Sequence, residues 1–239
     1  RPATGAFIIR RIGRHESPRR FGQHVIQPII FYDFPLFCHI LHYITEPQKG
    51  KASPFCLEIG YRIQGKQIEV IWEVKNTGDK EMHFQIGAHP AFYWPDFDAS
   101  TQERGFFGFD KKEDVKYILI SEKGCADPSA EYSLELADGL LPLDIHTFDK
   151  DAFILENEQV HKVTLYTKEK KACLSLHFHT PVVGLWSPPA KNAPFVCIEP
   201  WYGRCDRAHY TGEYKDKDWM QHLHPDKTFK GGYTIEIEE

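Results

Sequence analysis

No stretch of this 239-residue chain carries three convincing turns of helical periodicity. That argues against a bundle or a fold with crossover helices. No apolar run reaches the roughly 20 residues that a membrane-spanning helix needs, and no signal peptide is visible. A glycine-rich phosphate loop is missing, as is the Gly-x-Ser-x-Gly turn of serine hydrolases. Excess positive charge is missing too: 29 Lys and Arg stand against 34 Asp and Glu, for a net charge of -5. Neither nucleic acid nor a membrane is therefore expected as a partner. The basic cluster Arg10, Arg11, Arg14, Arg19 and Arg20 is the local exception, either a solvated face or a contribution to substrate binding. None of the six cysteines (Cys38, Cys56, Cys125, Cys173, Cys197, Cys205) forms a Cys-x-x-Cys pair, and several sit inside apolar strand patterns, where a free thiol packs as a small core residue. This points to a reducing, cytoplasmic setting without a disulfide framework.

What the chain does have is strands. Leu57 to Tyr61 and Gln67 to Lys75 flank Gln64-Gly65-Lys66, the signature of a hairpin with a short glycine-containing turn. Asn76-Thr77-Gly78-Asp79 marks a second turn before Met82 to Ala88. Further strands are predicted at Lys116 to Ser121, Ala152 to Glu156, Lys162 to Tyr166, Cys173 to His179, Phe195 to Ile198 and Tyr233 to Glu238, with one short helix at Asp218 to Leu223. Aromatic residues at 14% and hydrophobic residues at 41% are enough for a real core. The fold class is therefore all-β: a large antiparallel β-sandwich, with residues 1–239 read as one catalytic domain.

Period-two alternation sorts the faces of three strands. Met82, Phe84, Ile86 and Ala88 oppose His83, Gln85, Gly87 and His89. Leu174, Leu176 and Phe178 oppose Ser175, His177 and His179. Val196 and Ile198 oppose Phe195, Cys197 and Glu199. Each strand has one apolar face and one carrying histidine, glutamate or small residues, which predicts a partly buried polar cleft on one sheet. His89 and Glu199 each precede a proline at the end of such a strand. An imidazole titrates near neutral pH and suits a proton donor, and a partly desolvated carboxylate suits a base. Around them Phe92, Tyr93, Trp94, Trp186, Trp201 and Tyr202 offer rings that stack on the C–H face of a sugar. Asp151, just before a strand, can accept sugar hydroxyls or serve as a turn residue. His177-Phe178-His179 and His222-Leu223-His224 are spaced as metal-binding pairs, but no carboxylate sits at a diagnostic offset, so no metal is expected.

Four segments carry a family resemblance: Gln85-Ile86-Gly87-Ala88-His89-Pro90-Ala91-Phe92, Asp151-Ala152-Phe153, Gly184-Leu185-Trp186-Ser187-Pro188 and Pro194-Phe195-Val196-Cys197-Ile198-Glu199-Pro200-Trp201-Tyr202-Gly203. In order and spacing they resemble the aldose 1-epimerase (galactose mutarotase-like) family, most closely its bacterial lactose-operon-type branch. The resemblance runs from about Pro54 to the end of the chain. It implies a galactose mutarotase-like supersandwich, with some N-terminal strands expected to be missing. It also implies interconversion of the α and β anomers of a free hexose without a cofactor. Carried over, Glu199 takes the proton of the C1 hydroxyl, His89 protonates the ring oxygen, and Asp151 and Trp186 hold the sugar. Ile12-Gly13-Arg14 and Gln23-His24 match the family's arginine and second-histidine motifs only in part, placing Arg14 and His24 as further substrate-binding residues. The expected partner is a small sugar, and the expected assembly a monomer or homodimer. The competing readings are a non-catalytic carbohydrate-binding protein on the same fold, a metal-dependent enzyme of cupin type using His177 and His179, and an epimerase of hexose 6-phosphates served by Arg104, Arg204 and Arg207, joined by Arg14. The acid and base are expected roughly 5–8 Å apart across a sugar-sized gap.

Overall fold

The computed structural model describes residues 54–121 and 124–238, together with the backbone of three earlier strands, β1 (Ala6–Phe7), β2 (Gln27–Ile30) and β3 (His39–Ile44). Arg14, His24 and Cys38 lie outside the described residues. No α-helix occurs among the described residues.

Two large antiparallel sheets face each other. The first contains β7 (Ile86–His89), β8 (Ala91–Tyr93), β10 (Lys116–Ile120), β11 (Ala126–Ser133), β13 (Phe153–Glu156), β16 (Val182–Trp186) and β17 (Phe195–Tyr202). With β1 at one edge, its order is β1-β7-β17-β16-β13-β10-β11, and β8 also pairs with β17. The second contains β4 (Phe55–Gln64), β5 (Gln67–Asn76), β9 (Glu103–Phe109), β12 (Leu140–Asp144), β14 (Lys162–Tyr166), β15 (Ala172–Phe178) and β19 (Thr228–Ile237). Its order is β12-β9-β14-β15-β19-β5-β4-β3-β2. A two-stranded ribbon, β6 (Met82–Phe84) with β18 (Gln221–Leu223), stands apart from both.

The core lies between the sheets, and the alternation explains how it forms. In β5, Val70, Trp72 and Val74 are buried while Lys75 is exposed. In β17, Val196 and Ile198 meet them from the other side, joined by Ala88, Leu185 and Leu155 in one continuous cluster. Trp72 packs edge-on against Tyr202 across the gap, with ring centroids 6.3 Å apart. Each such fully buried side chain contributes about 1.5–3 kcal/mol. Gln64 pairs with Gln67, so Gly65 takes the first position of a two-residue turn, where its φ of 58° costs a glycine little.

Two expectations are corrected. Met82 to Ala88 is not one strand: Gln85 interrupts it, sending its amide to Asp218 O at 3.1 Å, and the two halves join different sheets. Asp218 to Leu223 is not helical. Trp219 takes a φ of 60°, and Gln221 to Leu223 pair with β6. A six-residue segment holds too little periodicity to distinguish a helix from a strand that a partner pairs.

Candidate functional site

β17 is the strand that assembles the site. Phe195, Val196 and Cys197 pair with Tyr93, Phe92 and Ala91 of β8, while Trp201 and Tyr202 pair with Gly87 and Ile86 of β7. One register thus runs through both short strands, and Pro90 marks the break between them. Carried through, it sets His89 directly opposite Glu199. On its other side β17 pairs with β16, so that Gly184 lies opposite Glu199 and Trp186 opposite Cys197. Directly paired residues share a face, which gathers His89, Glu199, Cys197, Trp186 and Trp201 on the outer face of this sheet.

Within that group His89 Nδ1 and Glu199 Oε2 make a direct ion-pair hydrogen bond. The glutamate side chain is 4% exposed and the imidazole 33%, so solvent reaches the pair through the histidine. The expectation of a 5–8 Å gap is overturned: cross-strand register places the groups in contact. The indole of Trp201 lies along the sheet as a floor. A Cβ on Gly87 would stand 2.6 Å from its Cδ1, and one on Gly184 would stand 2.7 Å from its Cζ2. Both positions must therefore be glycine for the ring to lie flat. Its Nε1 donates to Ala88 O at 3.1 Å. Trp186 tilts against the imidazole, with centroids 5.6 Å apart, and is partly exposed. His89 Nε2, the ring nitrogen not bonded to Glu199, faces Cys197 Sγ at 3.8 Å.

The electrostatics follow from burial. Desolvation raises the Glu199 carboxyl above its ordinary value, opposed by the hydrogen bond from His89 and by the Trp201 N–H; the charge of Asp151 adds a smaller upward push. The hydrogen bond to Glu199 holds the His89 imidazole above its ordinary value, against a smaller lowering by burial. Burial, with the Glu199 charge, pushes the Cys197 thiol far upward.

Asp151 stands two residues before Phe153, whose partner Leu185 is the neighbour of Trp186. It is exposed, its φ is 74°, and its Oδ1 accepts from the N–H of Ala152 at 2.7 Å. It therefore sits beside the site with one carboxylate oxygen free of that bond. Of the residues singled out from the sequence, the structure brings together His89, Glu199 and Trp186, with Asp151 adjacent. Trp201 was expected only as one of several sugar-stacking rings; its place as the floor was not foreseen. Its signal was the pair of glycines, Gly87 and Gly184, inside strand patterns, where a missing side chain marks a close approach.

The histidines of β15 do not share this face. That strand belongs to the other sheet, so the expected cleft spanning all three strands is a correction. His177 Nε2 is bonded to Glu236 Oε2 at 2.8 Å, and the exposed His179 ring lies 5.0 Å from that of His161. Among the described residues two other groups have metal-binding composition: Glu81, His83 and His222, and His89, Cys197 and Glu199. Arg204 and Arg104, the cations that the 6-phosphate reading would use, are both buried. Arg204 is buried, with Nε 2.6 Å from Glu156 Oε1 and Nη2 2.7 Å from Asp218 Oδ2. Arg104 is buried against the carbonyls of Thr101 and Glu103 and the side chain of Asn192. Arg207 is half-exposed and pairs with Asp218 at 3.2 Å.

The same fold recurs in known proteins. No family model matches the chain. It is 30% identical over 186 residues to Protein LacX of Lactococcus lactis subsp. lactis, in both the plasmid and chromosomal forms, covering 77% of this chain and 62% of that protein. The chain thus spans less than two thirds of the length of the curated relatives it matches. A solved structure of a galactose mutarotase related enzyme from Lactobacillus acidophilus superimposes with a TM-score of 0.76 at 25% identity, covering 91% of this chain and 72% of that one. The chain resembles galactose mutarotase-like proteins in sequence and fold. A galactose mutarotase-like protein from Lactobacillus casei shares the fold, with a TM-score of 0.74 at 21% identity over 87% of this chain and 74% of that one.

Proposed function

We propose that this galactose mutarotase-like chain is an aldose 1-epimerase acting on a neutral hexose, with Glu199 as base and His89 as acid. The observation that carries the reading is the buried, hydrogen-bonded His89–Glu199 pair on a sheet face floored and flanked by indoles. The C1 hydroxyl and the ring oxygen are bonded to the same carbon. Acid and base must therefore converge on one locus rather than straddle the ring, which is why contact between them suits the reaction better than a wide gap.

In the forward step Glu199 takes the proton of the C1 hydroxyl, its basicity raised by burial. The C1–O bond within the ring breaks, its electron pair passes to the ring oxygen, and imidazolium His89 supplies that oxygen's proton. The product is the open-chain aldehyde, and the pair passes from carboxylate and imidazolium to carboxylic acid and imidazole. Rotation about C1–C2 and reversal of both transfers close the ring on the other face and restore the pair. Trp186 stacks on the sugar and Asp151 accepts its hydroxyls.

A phosphate ester needs convergent cations. Arg104 and Arg204 are committed to internal partners, and Arg207 already pairs with Asp218, which supports a neutral sugar. The test is polarimetry on freshly dissolved α-galactose and α-glucose, each with its 6-phosphate. Acceleration on the neutral sugars is expected. Sugar binding without acceleration would identify a carbohydrate-binding protein, and a tenfold preference for the esters would overturn the neutral-sugar reading.

A further inference from the structure

The β6–β18 ribbon arranges four metal-ligating side chains as a rectangle, separate from the sugar site. His222 pairs with His83 and Leu223 with Met82, so the same register carries His224 to a place opposite Glu81. Alternation puts Glu81, His83, His222 and His224 on one face and Met82 and Leu223 on the other. The second face is buried in the core, at 6% and 8% exposure, and anchors the ribbon. Phe84 packs edge-on against Phe229, with centroids 5.3 Å apart. Fully buried Asn76 donates to Leu223 O and Lys80 O, both at 2.8 Å, tying both strands to the nine-stranded sheet. The polar face is therefore held on a rigid base.

The donors already converge. His83 Nδ1 lies 3.1 Å from His222 Nδ1, and His83 Nε2 lies 3.8 Å from Glu81 Oε2. One donor atom from each of Glu81, His83 and His222 falls within 4.8 Å of the others. His224 Nδ1 stands 3.4 Å from Glu81 Oε1. Bonds of about 2.0–2.1 Å in a tetrahedral zinc site put ligand atoms about 3.3 Å apart; the His83 Nδ1–His222 Nδ1 distance matches this, while Glu81 approaches the other nitrogen of His83, so the exposed carboxylate must turn to share the ion. Two imidazoles and a carboxylate select the zinc class over oxygen-seeking calcium or magnesium. The group His89, Cys197 and Glu199 is a poorer host, because its carboxylate is bonded to the imidazole and its thiol is buried.

We propose that the β6–β18 ribbon is a binding site for one divalent zinc-class cation, held by His83, His222 and Glu81 with His224 as the fourth ligand. The test is calorimetric titration of the full chain, stripped with chelator and free of any affinity tag, with zinc chloride. Saturable binding of one zinc per chain is expected, with His222→Ala and His83→Ala each weakening it at least about tenfold. His177→Ala should leave it unchanged. Zinc should raise the melting temperature of the parent and not of His222→Ala. His222 is exposed, so that variant is expected to fold, and circular dichroism checks it. No saturable binding, or affinity kept within twofold in both His83→Ala and His222→Ala, overturns the proposal. So does loss of binding in Cys197→Ala, which would place the ion at the sugar site.

Discussion

The Trp201 indole fills the space that a side chain on Gly184 would occupy, across the strand pair that carries Glu199. That ring cannot yield easily. Its Nε1 is bonded to Ala88 O, and it packs against the buried cluster of Ile118, Ala126, Ile154 and Val182. The glycine, the tryptophan and the carboxylate form one unit.

Gly184→Ala is expected to lower stability by about 1–3 kcal/mol through overpacking. It should also displace the floor beneath Glu199 and reduce mutarotation. Urea denaturation with parallel polarimetry checks both, and a midpoint equal to the parent's would show that the ring moves aside freely.

Glu199→Gln keeps the shape and removes the base. Turnover should fall roughly 10²–10⁴-fold with little change in sugar affinity. Activity within a few-fold of the parent would rule out Glu199 as the base.

The pH profile of kcat/KM should be displaced upward on both limbs. The base must be ionised, so activity rises as pH passes the Glu199 pKa, which burial lifts above the ordinary 4.5. The acid must be protonated, so activity falls as pH passes the His89 pKa, which Glu199 lifts above the ordinary 6.5. Because the groups share a hydrogen bond, both limbs belong to the pair. In Glu199→Gln the lifting partner is gone and burial alone acts, so the imidazole should titrate lower, as followed by NMR. An unmoved His89 titration would show that the contact does not exist in solution.

Arg204→Ala should cost about 3 kcal/mol. It strands Glu156 and Asp218 without their shared guanidinium, at the lower end of the range for broken buried pairs because Asp218 keeps some solvent and Arg207. The preference between neutral and phosphorylated sugars should not change. A shift in that preference on competition assay would mean that Arg204 contacts substrate.

Much of the scaffold was legible in local pattern. The Gly65 turn, the alternation of β5 and the opposing faces of Ile86–His89 and Phe195–Glu199 all follow from period-two burial, a property of consecutive residues. β9 escaped notice because Glu103-Arg104-Gly105 at its start and Gly108 near its end dilute the apolar pattern. The ribbon strand Gln221–Leu223 escaped because three residues have no period of their own, and only pairing with β6 makes them a strand.

By itself the sequence determined that the chain is a β protein, the apolar face of the strands around His89 and Glu199, and that these two are the acid and base to consider. Only the tertiary structure decided which strands are neighbours. It put β15 in the opposite sheet, taking His177 and His179 away from the site, and it buried Arg204 between two carboxylates. It also paired β7 with β17 in the register that turns an expected gap into a hydrogen bond. Alternation states which way a side chain points but not what lies beyond it, because strand pairing joins segments more than a hundred residues apart through backbone hydrogen bonds common to every residue.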